Sequence, residues 1–537
     1  MGTTKLTTVD DVYVDNTAEK AESSMPVQST RQVSGSEALE AAILKEKPSP
    51  WTKAHLKVYA FCALAFLCST MNGFDGSLFN ALQSMSQFRD YFGVDIVGAK
   101  LGLISGMYTI GGVVALLFVG PACDTWGRRS GMFIGCLFVA IGTVVSATSK
   151  NLGQFMGGRF LLGFGVSIAA SAGPTYCVEM SPPAYRGVLT GLYNCTYYVG
   201  SITAAGATRG TIGYSGTKAW RIPVWCQLIC SGTVCLFVFL IPESPRWLYS
   251  HGKIDAALDT IVKYHGEGSP ENAFVTLQMS EYAANISLNG SDKRFWDFRE
   301  LFNSHAARYR VLCMLIPSVC AQWSGSGITT YYFTAMLASA GITNSVTVLN
   351  YNLGNNFIGA FGAYLGASQV QRFGRRRTLI GVCISSSILF TGISVGTGIY
   401  SRDGSSSAAK AGIAFIFLFG FFFALGWTPL QALYPVEVLS YEQRAKGMAL
   451  SSAAVNAAAL LNQFAMPVAM EKIGWHTYIV FIGWNLIQAV FCYFFAVETN
   501  GRTLEELTEV FEASNPRKAS TKKHVALTAV PDEKLTV

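Results

Sequence analysis

The sequence predicts an all-α membrane protein whose twelve transmembrane helices form two pseudo-symmetric bundles of six. Hydrophobic residues make up 50% of the 537 residues and charged residues only 14%, whereas soluble proteins carry about 25% charge. The charges concentrate in residues 1–57, in residues 243–310 and after residue 497. The apolar segments between them are each near the ~20 residues that a helix needs to cross a bilayer. The two halves of the chain also resemble each other.

Twelve apolar windows justify the helix count. The first six lie at residues 58–80, 98–120, 131–149, 152–176, 187–208 and 222–242. The second six lie at residues 309–338, 347–370, 378–399, 411–436, 446–469 and 476–497. The predicted domains are an N-terminal tail (1–54), a six-helix bundle (55–242), a linker (243–308), a second bundle (309–498) and a C-terminal tail (499–537).

The segments outside the windows are polar. Both tails are typical of disordered chain, and the N-terminus lacks the basic start and apolar run of a signal peptide. Within the linker, "KIDAALDT" and "FWDFRELF" predict amphipathic surface helices.

Basic residues in the short loops predict the orientation. The loops "DTWGRRSG", "QRFGRRRT" and "RAKG" fall on the side of the linker and of both termini. That side is predicted to be cytoplasmic, and the membrane is predicted to be the plasma membrane. For Arg375, Arg376 and Arg377 the preferred interpretation is solvated loop charge of this kind.

Composition also narrows the function. All 13 cysteines fall inside or at the edge of apolar segments, where they are predicted to pack as small hydrophobic residues. The net charge of +7 reflects the basic loops and carries no nucleic-acid signal. The six histidines are scattered, and Gly252–Lys253 lacks the spacing of a phosphate-binding loop. The sequence therefore predicts no enzyme, no cofactor and no metal.

An internal repeat relates the two halves. "GPACDTWGRR" matches "ASQVQRFGRR" around Gly127 and Gly374, "EMSPPAYR" matches "EVLSYEQR", and "PESPR" matches "VETNGR". The three matches recur at nearly the same separation. A duplicated six-helix unit predicts two similar bundles with a site between them, which is the architecture of alternating access.

The same segments carry a family resemblance. The pattern G-x-x-x-D-x-x-G-R-R from Gly120 to Arg129 resembles the cytoplasmic signature of the major facilitator superfamily. "PESPRWL" and "GGRFLLGFG" are similar to the sugar porter branch, and "GWTPLQALYPVEVLSYEQRAKGM" resembles the fungal lactose and oligosaccharide permeases. The resemblance spans residues 55–510. It implies the major facilitator fold, a monomer, and a sugar, protons and the lipid bilayer as partners.

Acids and arginines recur at the loop ends of both halves. They predict ion pairs that bridge the two bundles in one conformation and break when the protein opens inward; the alternative is solvated charge that sets the topology. Gln371 stands where the first half has its loop acid. The predicted cytoplasmic gate comprises Asp124, Arg128, Arg129, Glu179, Arg186, Glu243, Arg246, Glu437, Arg444 and Glu498.

Asp75 lies in "STMNGFDGSLFN" within the first apolar window. A charge at the centre of a membrane helix costs about 2.5–3.5 kcal/mol on insertion scales. Arg159 is the other ionisable residue deep in a window, so the two are predicted to face each other. They form either a permanent structural pair or a proton-coupling pair. Proton-coupled sugar porters are similar in having an aspartate in the first span and an arginine in the fourth, which favours coupling.

A sugar is bound by amides and aromatic rings. The resemblance implies sugar contacts for Asn194, Gln322, Tyr331 and Tyr332, and hydrogen bonds between helices are the alternative. Further candidates are Asn355, Asn356, Trp427 and Asn456.

Several positions depart from the family pattern. Ala321, Ser326 and Ala432 replace an expected glutamine, asparagine and tryptophan. The lost bulk is compatible with a disaccharide.

Gly325 with Gly327 predicts a break in the seventh helix, and Pro429 with Gly426 predicts one in the tenth. Breaks at these matching places suit a moving gate, and simple close packing is the alternative.

The resulting prediction is a proton-coupled symporter that imports a sugar, with lactose or cellobiose as the expected substrate. A sugar sensor built on a transporter fold and a hexose transporter or uniporter are the alternatives.

Overall fold

The computed structural model of the chain describes residues 45–46, 49–95, 98–289, 298–440, 443–500 and 504–521. These residues are almost entirely helical, and no β-strand occurs among them. Twelve long helices, α1–α12, follow the twelve apolar windows in order. The predicted all-α fold class is confirmed.

The first half of the chain contains α1–α6. These helices are Lys53–Ser84, Ala99–Gly120, Arg128–Ala147, Leu152–Met180, Arg186–Thr211 and, for α6, the consecutive segments Lys218–Trp225 and Gln227–Phe237.

The second half contains α7–α12. Helix α7 comprises His305–Ala321 and Gly327–Tyr331 on either side of a π-helical turn, Gln322–Ser326. A short helix, Phe333–Ser339, follows it. Helices α8–α12 are Ser345–Phe373, Arg375–Asp403, Ser406–Val438, Arg444–Ile473 and Thr477–Phe495.

Polar side chains at the window edges explain where several helices begin. Thr52 Oγ1 accepts a hydrogen bond from the backbone N–H of His55 at the start of α1, and Asn151 Oδ1 accepts one from Gln154 at the start of α4. Such caps satisfy N–H groups that have no partner within the helix. Helices α7, α8 and α10 are capped in the same way by Ser304, Asn344 and Ser405.

Nine segments of the described residues are long and apolar enough to cross a membrane by length and composition, with α11 and α12 counted together. Helices α5 and α8 are not among them, because polar side chains such as Asn194 and Asn355 occupy their middle turns. These two helices pack against each other. Polar groups in membrane helices belong inside the protein rather than against lipid, so this placement accounts for their composition.

The two halves repeat one packing scheme. In the first half, α1 packs on α5, α2 on α4, and α3 on both α4 and α6. In the second half, α7 packs on α11, α8 on α10, and α9 on both α10 and α12. The halves meet at two helix pairs, α2 with α11 and α5 with α8. These two pairs are equivalent in the repeat, because α8 is the counterpart of α2 and α11 is the counterpart of α5. The predicted pair of pseudo-symmetric six-helix bundles is therefore confirmed.

Helices α2 and α11 approach closely because small residues line their contact. A Cβ atom on Gly102 would lie 2.9 Å from Gln463 O, and one on Gly106 would lie 2.6 Å from the Phe464 ring. Thr109 Oγ1 donates a 2.6 Å hydrogen bond to Gln463 Oε1. Small residues with an added polar contact are typical of helix pairs in membranes.

We call the helix ends near Asp124, Glu243 and Glu498 the linker face, and the other ends the opposite face. The hydrogen bonds that join the two halves directly lie near the middle of the helices or toward the opposite face. Among the described residues they connect Thr109 with Gln463, Gln83 with Tyr331, Asn80 with Thr334, Ser84 with Ser345, Arg209 with Asn350, and Asn356 with both Ser77 and Ser201.

Helix α7 is interrupted as predicted. Gly325 has φ +106°, a backbone conformation that favours glycine. Amides from neighbouring helices bond the carbonyl groups around the break. Asn462 donates to Gln322 O at 2.5 Å, Asn485 to Ser324 O at 3.1 Å, and Gln488 to Cys320 O at 3.3 Å.

The expected break in α10 is wrong, since Ser406–Val438 is one helix that contains Pro429. Gly426 serves close packing instead, because a Cβ atom there would lie 2.7 Å from Val382 Cβ.

The linker contains the helices Pro245–Ser250, Ile254–Tyr264 and Ala273–Asn289. "KIDAALDT" forms most of the second of these. The first three residues of "FWDFRELF" lie outside the described residues. The other five contain only a 3₁₀ turn, Arg299–Leu301, so the expected amphipathic helix is wrong for this part.

Both predicted tails extend beyond the described residues. Within the C-terminal tail, however, Leu504–Glu512 and Pro516–Thr521 are helices. The expectation of disorder is wrong for this part, because Leu507, Val510 and Phe511 bury an apolar face.

The cysteines are all free, and ten of the 13 are buried. This agrees with their predicted role as small hydrophobic residues.

Candidate functional site

A buried ion pair lies inside the first half. Arg159 Nη1 of α4 lies 2.8 Å from Asp75 Oδ1 of α1, and the two side chains are only 5% and 1% exposed. The guanidinium also lies between two rings, 4.8 Å from the centroid of Phe79 and 4.7 Å from that of Tyr108. Cation–π contacts of this kind stabilise a cation that has lost its water.

Gln227 of α6 completes this pair, and sequence reasoning missed it. Its Nε2 donates a 2.7 Å hydrogen bond to Asp75 Oδ1, the same oxygen that Arg159 contacts. Its Oε1 accepts a 3.4 Å hydrogen bond from Thr143 Oγ1. Asp75 Oδ2 is buried and has no hydrogen-bond partner among the described residues. The feature of the sequence that could have identified Gln227 is that it is a single amide in the apolar stretch "WCQLIC".

A first charge cluster lies on the linker face of the first half. Arg128 donates to both carboxylate oxygens of Glu179, at 3.0 and 3.1 Å, and to Asp124 Oδ1 at 2.8 Å. Ser244 Oγ donates to Glu179 Oε2 at 2.5 Å. Such bidentate arginine–carboxylate contacts fix geometry as well as charge.

Glu243 caps the start of α3 within this cluster. Its carboxylate accepts hydrogen bonds from the backbone N–H groups of Arg128 at 3.1 Å, Arg129 at 3.3 Å and Ser244 at 2.9 Å. A negative charge is favourable at a helix N-terminus. Burial nevertheless raises the pKa of Glu243 above its usual value, and the three N–H donors oppose that shift.

A second charge cluster repeats this geometry in the second half. Arg375 donates to Glu437 at 2.6 and 3.0 Å, and Thr499 Oγ1 donates to Glu437 Oε2 at 2.5 Å. Glu498 accepts from the backbone N–H groups of Arg375 at 2.8 Å and of Arg376 at 3.2 Å. Arg375 is only 6% exposed, so its interpretation as solvated loop charge is wrong. It is the counterpart of Arg128.

Each of these ion pairs joins helices of the same half. Arg128 with Glu179 connects α3 to α4, and Arg375 with Glu437 connects α9 to α10. The described ion pairs of the two clusters therefore do not bridge the halves in this conformation.

The remaining gate candidates have other contacts. Arg129 donates to Ile241 O at 3.0 Å. Burial raises the pKa of Glu281 in the linker, and the charges of Arg186 and Arg246 oppose this shift. The side chain of Arg444 lies outside the described part of the structure.

The predicted sugar contacts divide into two groups. Asn194, Gln322 and Asn355 are half-buried in helices that pack at or beside the interface between the halves, and Asn355 Oδ1 has no partner among the described residues. Asn356 Nδ2 lies 3.3 Å from Ser77 Oγ of the other half. The carbonyl of Tyr331 accepts a 2.9 Å hydrogen bond from Gln83.

The other group is engaged in packing. Tyr332 is 0% exposed and its hydroxyl donates to Gln463 O at 2.8 Å. Trp427 is also 0% exposed. Asn456 Nδ2 donates to Ser452 O at 2.9 Å within α11. These three side chains serve contacts between or within helices in this conformation.

Residues 61–511 match the family model described as "Sugar (and other) transporter". The chain belongs to this family. It is a multi-pass membrane protein of the major facilitator superfamily, in the sugar porter group.

Curated relatives share about a quarter of the residues. The high-affinity glucose transporter of Kluyveromyces lactis is 26% identical over 86% of this chain and 86% of its own length. The quinate permease of Emericella nidulans is 26% identical over 88% of this chain and 91% of its own length.

The fold is shared with solved structures. The xylose transporter XylE from E. coli, in an inward open conformation, matches with a TM-score of 0.69 and 20% identity, covering 85% of this chain and all of XylE. A further XylE structure, described as that of a proton:xylose symporter, matches with a TM-score of 0.68. At this identity the match shows the fold alone.

Proposed function

We propose that this sugar transporter family member imports a neutral sugar together with a proton by alternating access, with its linker face in the cytoplasm. The observation that carries the proposal is the buried Asp75–Arg159 pair, in which one carboxylate oxygen of Asp75 has no hydrogen-bond partner within the described part of the chain. A charge buried in a membrane helix is expensive and is usually functional.

The proton is taken up at Asp75 Oδ2, because Oδ1 already accepts hydrogen bonds from Arg159 and Gln227. Protonation removes the charge that attracts Arg159, so the restraint between α1 and α4 weakens. The rings of Phe79 and Tyr108 continue to stabilise the guanidinium. Proton binding therefore favours an arrangement in which α1 and α4 are less tightly restrained, while the buried guanidinium of Arg159 keeps its contacts with the two rings.

The contacts between the halves support an inward-facing state. The hydrogen bonds that join the halves lie near the middle or toward the opposite face, and XylE is described as inward open in one matching structure. We assign the two charge clusters to the cytoplasmic gate: each holds its own half rigid, and closure of the linker face would bring the two clusters together.

The substrate is proposed to be a hexose or pentose. Half-buried amides on α5, α7 and α8 supply donors and acceptors for hydroxyl groups. The relatives reported above transport glucose or quinate, so the disaccharide expected from the sequence becomes the alternative. Quinate is an anion, whereas the sugar-binding candidates carry no positive charge, which favours a neutral sugar.

The test is sugar-driven proton entry into liposomes that contain the purified protein, with glucose, xylose, lactose, cellobiose and quinate offered separately. The parent is expected to acidify the lumen with a monosaccharide. Asp75→Asn is expected to lose proton entry and uphill accumulation but to keep downhill sugar exchange. Asp90→Asn, at an exposed site, is the matched control.

Each other result has a defined meaning. Sugar uptake by the parent without proton entry would make the protein a uniporter and the pair structural. Proton entry driven by lactose or cellobiose would restore the disaccharide. Binding without uptake would favour the sensor.

A further inference from the structure

The chain beyond α12 docks on the linker face of the second half. Phe511, in the helix Leu504–Glu512, is 0% exposed, and the guanidinium of Arg310 lies 4.6 Å from its ring centroid. Arg310 also donates a 3.1 Å hydrogen bond to Thr508 Oγ1. The guanidinium of Arg517, in the helix Pro516–Thr521, lies 4.7 Å from the ring of Tyr493. We call residues 504–521 the tail clamp.

Ser520 connects the tail clamp to the second charge cluster. The side chain is 4% exposed. Its Oγ accepts a 3.2 Å hydrogen bond from the backbone N–H of Glu498 and donates a 2.8 Å hydrogen bond to Arg517 O. The carboxylate of Glu498 in turn accepts from the backbone N–H groups of Arg375 and Arg376. The hydroxyl of Ser520 is therefore hydrogen-bonded to the backbone of Glu498, the residue whose half-buried carboxylate caps the start of α9.

The sequence around Ser520 has a second property. Arg517 and Lys518 stand three and two positions before it, and the small residue Ala519 precedes it directly. Protein kinases choose substrates by charge pattern, and basic residues at these positions suit a kinase with acidic pockets. We propose that Ser520 is phosphorylated by a basophilic protein kinase with ATP, and that phosphorylation releases the tail clamp. The proposal rests on the cytoplasmic placement of the linker face.

The transfer step is an ordinary phosphoryl transfer. Ser520 Oγ forms a bond to the γ-phosphorus of ATP, the bond from that phosphorus to the bridging oxygen of ADP breaks, and the hydroxyl proton passes to the carboxylate base of the kinase. A kinase must reach the buried hydroxyl, which requires undocking first. The helix Pro516–Thr521 has six residues, and a helix this short does not persist in water on its own. Undocking therefore exposes the segment as extended chain.

A phosphorylated Ser520 cannot return to its place. Phosphate adds about −1.5 to −2 charges, and the hydroxyl is buried beside Glu498. The guanidinium of Arg375 is already bonded to Glu437 and, at 2.6 Å, to Asn500. Ser520 also stands in the last turn of its helix, where the helix dipole disfavours negative charge. Like-charge repulsion and desolvation both oppose redocking.

The test uses the full-length protein in lipid nanodiscs, the catalytic subunit of a basophilic serine/threonine kinase, and ATP. Phosphate is located by mass spectrometry, and docking is followed by hydrogen exchange over residues 504–521. Phosphate is expected on Ser520, with most of the total incorporation lost in Ser520→Ala and none of it lost in Thr521→Ala. Thr521 is the matched control because it is exposed and lies next to the site.

In the phosphorylated fraction, exchange over residues 507–521 is expected to rise to the level of the free peptide. Phe511→Ala, which weakens docking, is expected to speed phosphorylation of Ser520 several-fold. Phosphate confined to Thr521, or absent from Ser520 even in Phe511→Ala, would overturn the assignment of the site. Phosphate on Ser520 with unchanged exchange would overturn the release.

Discussion

The amide of Gln227 holds the carboxylate of Asp75 from α6 while Arg159 holds it from α4. Both donors use Oδ1, at 2.7 and 2.8 Å, and Oδ2 has no partner among the described residues. Gln227 is itself bonded to Thr143 of α3. Helices α1, α4 and α6 therefore meet at one carboxyl group, and α3 is linked to it through Gln227, so a change in the charge of Asp75 acts on the packing of all four helices.

Gln227→Leu tests the amide. A hydrogen bond to a charged group contributes about 1.5–3 kcal/mol, and Gln227 gives it to the ionised form of Asp75. In Gln227→Leu this hydrogen bond is missing, so the protonated form of Asp75 becomes more stable relative to the ionised form. The proton concentration needed for half-maximal coupled uptake is therefore expected to fall by about tenfold. The measurement is sugar-driven proton entry as a function of external pH.

Ser231→Ala, one turn along the same helix and equally buried, is the control for this variant. An unchanged pH profile in Gln227→Leu would show that the amide only packs against Asp75.

Neutralising only one member of the Asp75–Arg159 ion pair should reduce the stability of the folded protein more than neutralising both members. Arg159→Gln leaves the carboxylate of Asp75 buried without its counter-charge, and breaking a buried pair in this way costs about 3–5 kcal/mol. The double variant Asp75→Asn/Arg159→Gln removes the uncompensated charge and is expected to recover most of the lost stability. Thermal unfolding midpoints in one detergent compare the three proteins, and equal losses in single and double variants would contradict this account.

The fold was predictable because hydrophobic length is a local property of the sequence. Each of the twelve helices could be predicted from the composition of its own window. The repeat around Gly127 and Gly374 then predicted that the two halves have similar structures. The α10 error has a similar origin: a proline such as Pro429 predicts a break, but the sequence does not show which neighbours compensate for the lost hydrogen bond. Because Ser406–Val438 is a continuous helix, contacts with neighbouring helices must compensate for the hydrogen bond that Pro429 cannot make.

The site was predictable only where charge made it conspicuous. Asp75 and Arg159 stand out in apolar surroundings, whereas Gln227 is neutral and looks like many interhelical amides. Arg375 was misread because a run of three arginines is typical of a membrane boundary. Its bonds to Glu437 span 62 residues of sequence, and that separation is not visible in any local pattern.

The third prediction concerns the close contact between α1 and α5, which depends on a glycine in α5. A Cβ atom on Gly200 of α5 would lie 1.8 Å from Thr70 O of α1, whereas one on Gly206 of the same helix would meet nothing within 4 Å. Gly200→Ala must push α1 and α5 apart, and overpacking costs about 1–3 kcal/mol or more. We expect a lower yield of monodisperse protein from Gly200→Ala and an unchanged yield from Gly206→Ala. Size-exclusion profiles in detergent measure both, and identical profiles would contradict the close approach.

The attachment of the linker to α4 should depend on pH through His265. This side chain is 4% exposed, and its ring nitrogens lie 3.0 Å from Met180 O and 3.0 Å from Gln278 Oε1. Burial lowers the pKa of His265 to about 4, and these two hydrogen bonds oppose the shift. The unfolded side chain titrates near ~6.5.

Because the pKa of His265 is depressed in the folded state, its contribution to stability is complete above pH ~6.5 and is lost as the pH falls toward 4. The full loss is about 3 kcal/mol. Hydrogen exchange in the helix Ile254–Tyr264, corrected for intrinsic rates, is therefore expected to speed up between pH 7 and pH 5. His265→Gln should lose this pH dependence, and His251→Gln, at an exposed site, should keep it. Protection that is equal at both pH values in the parent would mean that protonation of His265 does not loosen the linker.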